Sequence, residues 1–239
     1  MWEGIKLVCT TNNTMKRGKK YAAVVEKVDR DEKYAIADAM ALVKSTATAS
    51  FDESVEMHVR LGIDPKKGDQ GVRGTVSLPH GTGKETRVGV ITSTKEAEAK
   101  KAGADLIGAE DLIDQIKAGK LPDVDVLVAS PEMMPKLAPA AKILGPRGMM
   151  PSPKTETVTQ DIERIVSELK KGKESFKNDG GGNIHQVIGK ASFDEKKLEE
   201  NYTVFIDALK KARTDACKGQ FILATSLCTT MGPSVKIKV

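Results

Sequence analysis

The chain has 239 residues, 39% hydrophobic and 30% charged, which fits a soluble globular protein with room for one large domain or two small ones. Aromatic residues make up only 4%, which argues against an aromatic stacking platform for single strands. The net charge of +5 is unevenly placed: 82–172 holds 14 Lys/Arg and 14 Asp/Glu, whereas the two flanking ends together hold 24 and 19. Phosphate binding needs local positive charge, so the excess at the ends is a weak pointer to nucleic acid. No apolar run is long enough to cross a bilayer. The first ten residues, with Glu3 and Lys6 among them, lack the apolar core of a signal peptide. Cys9, Cys217 and Cys228 are odd in number and have no metal spacing, which fits reduced thiols in the cytosol.

Met1 to Thr14 shows no helical period and is expected to be a disordered N-terminal extension, with Met15 the natural start. Lys16-Arg17-Gly18-Lys19-Lys20 follows as a basic arm. A short helix over 21–28 is expected, then a second over 36–48, where Ile36, Met40, Val43 and Ala47 recur at helical spacing. From 51 to 80 the period drops to two. Val55, Met57, Val59, Leu61 and Ile63 alternate with Glu56, His58, Arg60 and Asp64. After a turn-rich basic connection, Gly74, Val76 and Leu78 alternate with Arg73, Thr75 and Ser77. The reading is a half-buried strand pair whose polar face binds RNA, running into a Pro79–Gly83 hinge.

The texture changes from Arg87. Val88-Gly89-Val90-Ile91 is a short apolar run, and Ser93 with Glu96 forms a capping-box pattern ahead of a helix over 94–102. Strands at 104–108 and 124–129 alternate with helices at 111–118 and from Pro131 towards Leu144. A further helix over 159–171 aligns Ile162, Ile165, Val166 and Leu169. Repeated strand–helix units imply a parallel sheet with helices on its faces. Hairpin texture then returns: 175–177 is expected to pair with 184–188 across a Gly-rich turn. Ser192 and Glu195 form a second capping box before a long helix through Leu198, Tyr202, Phe205, Leu209 and Arg213. Strands at 221–228 and 235–239 close the chain around the turn Thr229-Thr230-Met231-Gly232-Pro233-Ser234.

The two ends share an antiparallel texture and a charge bias, and flank a βα-repeat middle. The expected class is therefore α/β. An α+β discontinuous RNA-binding domain, 15–81 with 173–239, carries an inserted Rossmann-like three-layer α/β/α domain, 82–172. Crossings near 81–83 and 171–173 form a hinge.

Gly81-Thr82-Gly83-Lys84-Glu85 resembles a phosphate loop but lacks the first Gly at Leu78, puts Glu85 where a magnesium-binding hydroxyl belongs, and precedes a strand instead of following one. It reads as a linker. His58, His80 and His185 have no metal spacing, and His58 reads as a solvated residue on a strand face. No nucleophile elbow or carboxylate pair stands out. Gly145-Pro146-Arg147-Gly148-Met149-Met150 could present Arg147 and backbone amides to phosphate, but a rigid connection packing the two methionines is preferred. The turn at 229–234 groups hydroxyls, a bare Gly and a flexible Met without charge. Such a loop can approach ribose and read 2′-hydroxyls, although chemistry alone would leave it an ordinary turn.

Phe51-Asp52-Glu53, Leu61-Gly62-Ile63-Asp64-Pro65, Val72 to Gly81, Ile143-Leu144-Gly145-Pro146-Arg147-Gly148 and Thr230-Met231-Gly232-Pro233-Ser234 stand in the order found in another group of proteins. Together they resemble the bacterial large-subunit ribosomal protein L-one family, over nearly all of 15–239. The resemblance implies a cytoplasmic, non-enzymatic constituent of the large ribosomal subunit that uses no cofactor. Its partners would be the mobile stalk of large-subunit rRNA, exit-site tRNA, and its own operon mRNA, which it would repress. It would contact no membrane and would be a monomer when free. Carried over by position, the RNA surface falls on Phe51, Ser54, Glu56, Lys67, Lys177, Asp179, Thr230, Met231 and Gly232. Departures are Ser50 where relatives often have Lys, Gly180-Gly181-Gly182 at a tip that often carries Lys and Thr, and lysine at Lys67 and Lys177 where some have arginine. The competing class is an enzyme holding a nucleotide or phosphate ligand in the Rossmann-like insert.

Overall fold

A computed structural model of the protein describes residues 18–238 apart from 30, 94, 120, 121, 215 and 218. The expected extension at 1–14, the start at Met15 and the first part of the basic arm lie outside the described residues. In chain order the elements are α1 (Lys19–Val25), α2 (Ile36–Thr46), β1 (Ser54–Leu61), β2 (Arg73–Ser77), β3 (Val88–Ile91), α3 (Glu96–Lys101), β4 (Leu106–Gly108), α4 (Glu110–Lys117) and β5 (Val126–Ala129). They continue as α5 (Met134–Leu137), α6 (Ala141–Leu144), α7 (Ile162–Lys170), β6 (Lys173–Lys177), β7 (Asn183–Lys190), α8 (Glu195–Lys211), β8 (Ile222–Thr229) and β9 (Val235–Ile237). None of the described helices is long and apolar enough to cross a membrane.

The strands form three sheets. An antiparallel sheet of order β7-β1-β8-β9 puts β1 at its centre. The alternation of β1 is realised in full: Val55, Met57, Val59 and Leu61 are buried, while Ser54, Glu56, His58 and Arg60 face outward. The expected pairing of the two runs within 51–80 does not occur. β1 pairs with β7 and β8, whereas β2 pairs with β6 in a separate two-stranded ribbon. The expected hairpin between 175–177 and 184–188 dissolves for the same reason, because each of its strands has a remote partner. Phe176 sits opposite Gly74 and reaches the core, where it meets Phe205 edge-on with ring centroids 5.3 Å apart. A side chain at Gly74 would collide with that ring, its Cβ falling 2.8 Å from Cζ. This close approach favours the ribbon pairing over the local one.

The third sheet is parallel, of order β4-β3-β5, as the repeated strand–helix units imply. Val88 and Val90 pack with Val128 and α7 on one face, while Ile91 packs with Leu127, Met133 and Leu137 on the other. Burial on both faces explains why these strands read as continuous apolar runs without alternation. The helix expected from Pro131 to Leu144 is broken into α5, α6 and two single 3-10 turns, with Pro135 and Pro139 interrupting the backbone ladder. Neither capping box forms. Ser93 Oγ lies 3.5 Å from Glu132 Oε2, and Ser192 Oγ donates to Asp52 at 2.8 Å. Thr92 Oγ1 instead accepts the Lys95 amide ahead of α3.

The buried clusters divide along the chain. One draws only on residues from 28–78 and 176–237, and the two flanking the parallel sheet draw only on 88–169. Between them the backbone crosses twice, side by side. Leu78 N donates to Gly172 O at 3.2 Å, and a Cβ on Gly172 would lie 2.6 Å from Gly81 Cα. Both glycines have positive φ, +63° at Gly81 and +104° at Gly172. Asn201 of α8, fully buried, joins the crossing to the antiparallel sheet by donating to Gly81 O at 3.0 Å and Ile188 O at 2.8 Å.

Candidate nucleic-acid interface

The nine residues carried over by the resemblance fall at the two ends of β1. Phe51, Ser54 and Glu56 lie at its start, beside Thr230, Met231 and Gly232 at the end of β8. Lys67, Lys177 and Asp179 lie beyond its far end, where Leu61 N donates to Gly182 O at 3.0 Å. Eight residues of extended strand separate the groups by about 25 Å.

The near end is organised by a residue absent from the carried-over set. Glu53 is 1% exposed. Its Oε1 accepts the amides of Thr48 at 2.9 Å and Ala49 at 2.8 Å, and its Oε2 accepts that of Met231 at 3.0 Å. Burial pushes its carboxyl up, but those amides outweigh burial and hold it below the usual glutamate value. One carboxylate thus joins the loop before β1 to the loop after β8. Further bonds lock the pair: Ser54 N donates to Thr230 Oγ1 at 3.1 Å, Thr230 N to Ser54 O at 3.1 Å, and Lys190 Nζ to Ser54 Oγ at 2.9 Å. Gly232 is bare for an inward reason, since its Cβ would fall 2.4 Å from Thr229 Oγ1 and 3.1 Å from Thr46 Oγ1. On this locked frame Phe51 is 55% exposed and Met231 59%, the two most exposed large hydrophobic side chains among the described residues. Apolar groups held at a rigid rim are the signature of a contact surface.

The far end has another character. Asp179 does not offer a free carboxylate. Its Oδ1 accepts the amides of Gly181 at 2.9 Å and Asn183 at 2.6 Å, its Oδ2 accepts Asn183 Nδ2 at 3.2 Å, and His185 Nε2 stands 3.5 Å away. The Asn183 amide leads in holding its pKa down at about 2. Asp179 therefore shapes the tip, leaving Lys177 beside it without a carboxylate partner among the described residues and Lys67 with only a 4.0 Å approach to Asp64.

Between the two ends runs a polar chain that the sequence reading missed by treating His58 as solvated. His58 Nε2 meets Cys228 Sγ at 3.1 Å, and His58 Nδ1 meets His185 Nδ1 at 2.8 Å. His185 Nε2 in turn stands 3.5 Å from the Asp179 carboxylate, so the contacts run from Cys228 through both imidazoles to the tip. Burial first, and then the neighbouring His185, lower the His58 pKa, while Glu56 opposes them. Burial, aided by Glu56, raises the Cys228 thiol. The exact register opposition of His58 to His185 across β1 and β7 was hidden because those strands are remote in sequence.

The near rim thus gathers apolar tips, hydroxyls and one outward carboxylate, continued by a polar strand face to the exposed cations Lys67 and Lys177. Comparison with known proteins names the family. The family model described as "Ribosomal protein L1p/L10e family" matches residues 43–233. The chain is 50% identical over 224 residues to the protein named large ribosomal subunit protein uL1 of Thermobifida fusca, covering 93% of this chain and 95% of the relative. Its namesake in Deinococcus radiodurans is also 50% identical, covering 93% and 96%, and that of Mycoplasma capricolum is 47% identical, covering 93% and 99%. The chain belongs to the ribosomal protein L1 family, and it is a structural protein and not an enzyme.

Proposed function

We propose that this protein is a cytoplasmic constituent of the large ribosomal subunit that binds the mobile stalk of large-subunit rRNA near the tRNA exit site. The observation that carries the reading is the rim locked by Glu53, which holds Phe51 and Met231 out to solvent while Thr230 and Ser54 bond to each other. Family membership supports rRNA as the ligand. Phe51 packs on ribose, Met231 packs its thioether on a sugar or base, and Glu56 accepts from guanine N–H groups or a 2′-hydroxyl. Lys67 and Lys177 neutralise phosphate at the far end. Asp179 and Gly232 hold the backbone that presents these groups.

The finer parts of the reading rest on the family resemblance. An operon mRNA that mimics the stalk competes for it, so the protein represses its own translation when rRNA is saturated. The outer domain, 15–81 with 173–239, carries this surface, and the insert, 82–172, swings on the paired crossings as the stalk follows departing exit-site tRNA. The free protein is a monomer. Footprinting on large-subunit rRNA, with affinity measured across a salt series, tests the proposal. Protection confined to the stalk with a shallow log–log salt slope is expected, because few cations face the ligand. Absence of a complex at low salt overturns it.

A further inference from the structure

The β2–β6 ribbon places cations where a strand pair avoids them. Arg73 lies directly opposite Lys177 in the antiparallel register, so both side chains leave the same face, and like charges so placed destabilise the pairing. Both residues are exposed, and neither has a carboxylate partner among the described residues. The next pair along that face is Thr75 opposite Ser175, two hydroxyls. The third is Ser77 opposite Lys173, and here the ribbon behaves differently. Lys173 is bound by Glu156, and by Glu168 at 2.8 Å, with its side chain 8% exposed. One cation on the face is neutralised by two carboxylates from the insert, while the other two are left together and open.

Asp179, two residues beyond Lys177, is the nearest carboxylate in sequence, and its turn holds it. On the other strand, the Val72 amide donates to Asn178 Oδ1 at 2.9 Å, and Asn178 N donates to Val72 O at 3.0 Å. These bonds fix the ribbon end that carries both cations. The result is a preformed pair of positive groups with hydroxyl donors beside it and no carboxylate partner among the described residues, which is the complement of a phosphodiester oxygen.

We propose that Arg73 and Lys177 form a two-cation clamp for a single phosphate of the bound RNA, extending the interface from the far end of β1 onto the ribbon. The proposal rests on the RNA-binding reading above and adds to it Arg73, which the family resemblance did not carry over. The guanidinium supplies a fork of N–H donors and the ammonium a point charge, so the two are not equivalent. Because the pair repels itself in the free protein, the clamp is a feature kept at some cost to stability, as binding sites often are.

The test measures affinity for a transcript of the large-subunit rRNA stalk between 50 and 200 mM salt, together with thermal midpoints, for the full chain and for Arg73→Gln, Lys177→Gln and the double variant. Each single variant is expected to weaken binding about tenfold and to flatten the log–log slope by up to about 0.9. The double variant is expected to be little weaker than the weaker-binding single, since both groups serve one phosphate. Thermal midpoints of the free variants should equal or exceed that of the parent. Unchanged affinity in Arg73→Gln, fully additive losses, or a lowered midpoint in both singles overturns the clamp. Inorganic phosphate at millimolar concentration separates the ligand sources. If it raises the parent's midpoint but not that of Arg73→Gln, while Arg73→Gln binds stalk RNA as the parent does, the site takes a free anion and the RNA assignment fails. A parent chain that binds no stalk RNA defeats the RNA-binding reading itself, whereas a binding parent with an indifferent Arg73→Gln defeats only the clamp.

Discussion

The two ends of β1 are built on opposite plans. At the near end the exposed groups are largely uncharged, and the anion that matters, Glu53, is buried and faces inward to hold two loops. At the far end an exposed carboxylate, Asp179, shapes the tip, and the cations beside it are open to solvent. The first arrangement suits shape and 2′-hydroxyl recognition, which tolerate salt. The second suits phosphate, which salt competes away. A surface built this way separates what is read from what is merely attracted.

Glu53→Ala should break the near end most severely. It leaves three amides without their charged acceptor, for a loss of about 3 kcal/mol of stability and of stalk binding as well, read by chemical denaturation and filter binding. Glu53→Gln keeps the shape and should fall between parent and alanine. Next in size, Met231→Ala and Thr230→Val should each weaken binding by about 1–2 kcal/mol, with Met231→Ala leaving stability within about 0.5 kcal/mol because its side chain is 59% exposed. Unchanged affinity in either variant would remove the rim from the interface. The smallest effect concerns pH. The pKa values of Glu53 and His58 both lie below their unfolded values in the native state, so each contributes stability that is present above its unfolded pKa and lost as pH falls through its folded one. Denaturation midpoints should therefore begin to decline below about pH 6.5, the unfolded value for histidine, and this first phase should vanish in His58→Gln. A second decline should begin below the unfolded glutamate value and be shallower in Glu53→Gln, with the other carboxylates of lowered pKa, Asp179 among them, supplying the rest.

Much of the fold could be read locally, and the losses share one cause. The alternation in β1, the apolar runs of the parallel sheet and the long amphipathic α8 are short-range patterns, and the chain realises them. Partner choice is not short-range. β1 and β2 are neighbours in sequence, yet each pairs with strands remote in the chain, with partners in β2 and β6 as little as 96 residues apart and those of β1 farther still, and nothing in either run encodes that. The serines at 93 and 192 carry a capping pattern, but a tertiary acceptor took each hydroxyl. Glu53 was visible only as part of a family block, because a carboxylate amid Phe51, Asp52 and Ser54 looks exposed until the loop bearing Met231 closes on it. The residue-by-residue resemblance named Phe51, Ser54, Thr230, Met231 and Gly232; the bonds that hold them together run between segments remote in sequence.

The paired crossings have a consequence for how such a chain can be assembled. With Gly81 and Gly172 in backbone contact, the two cut points of the insert coincide in space. A single peptide bond or a very short bridge could close the outer half once 82–171 were removed, without moving any residue of its buried cluster. The segment between the crossings is joined to the rest of the chain at one place, so exchanging it for another would leave the rim locked by Glu53 and the tip shaped by Asp179 as they are.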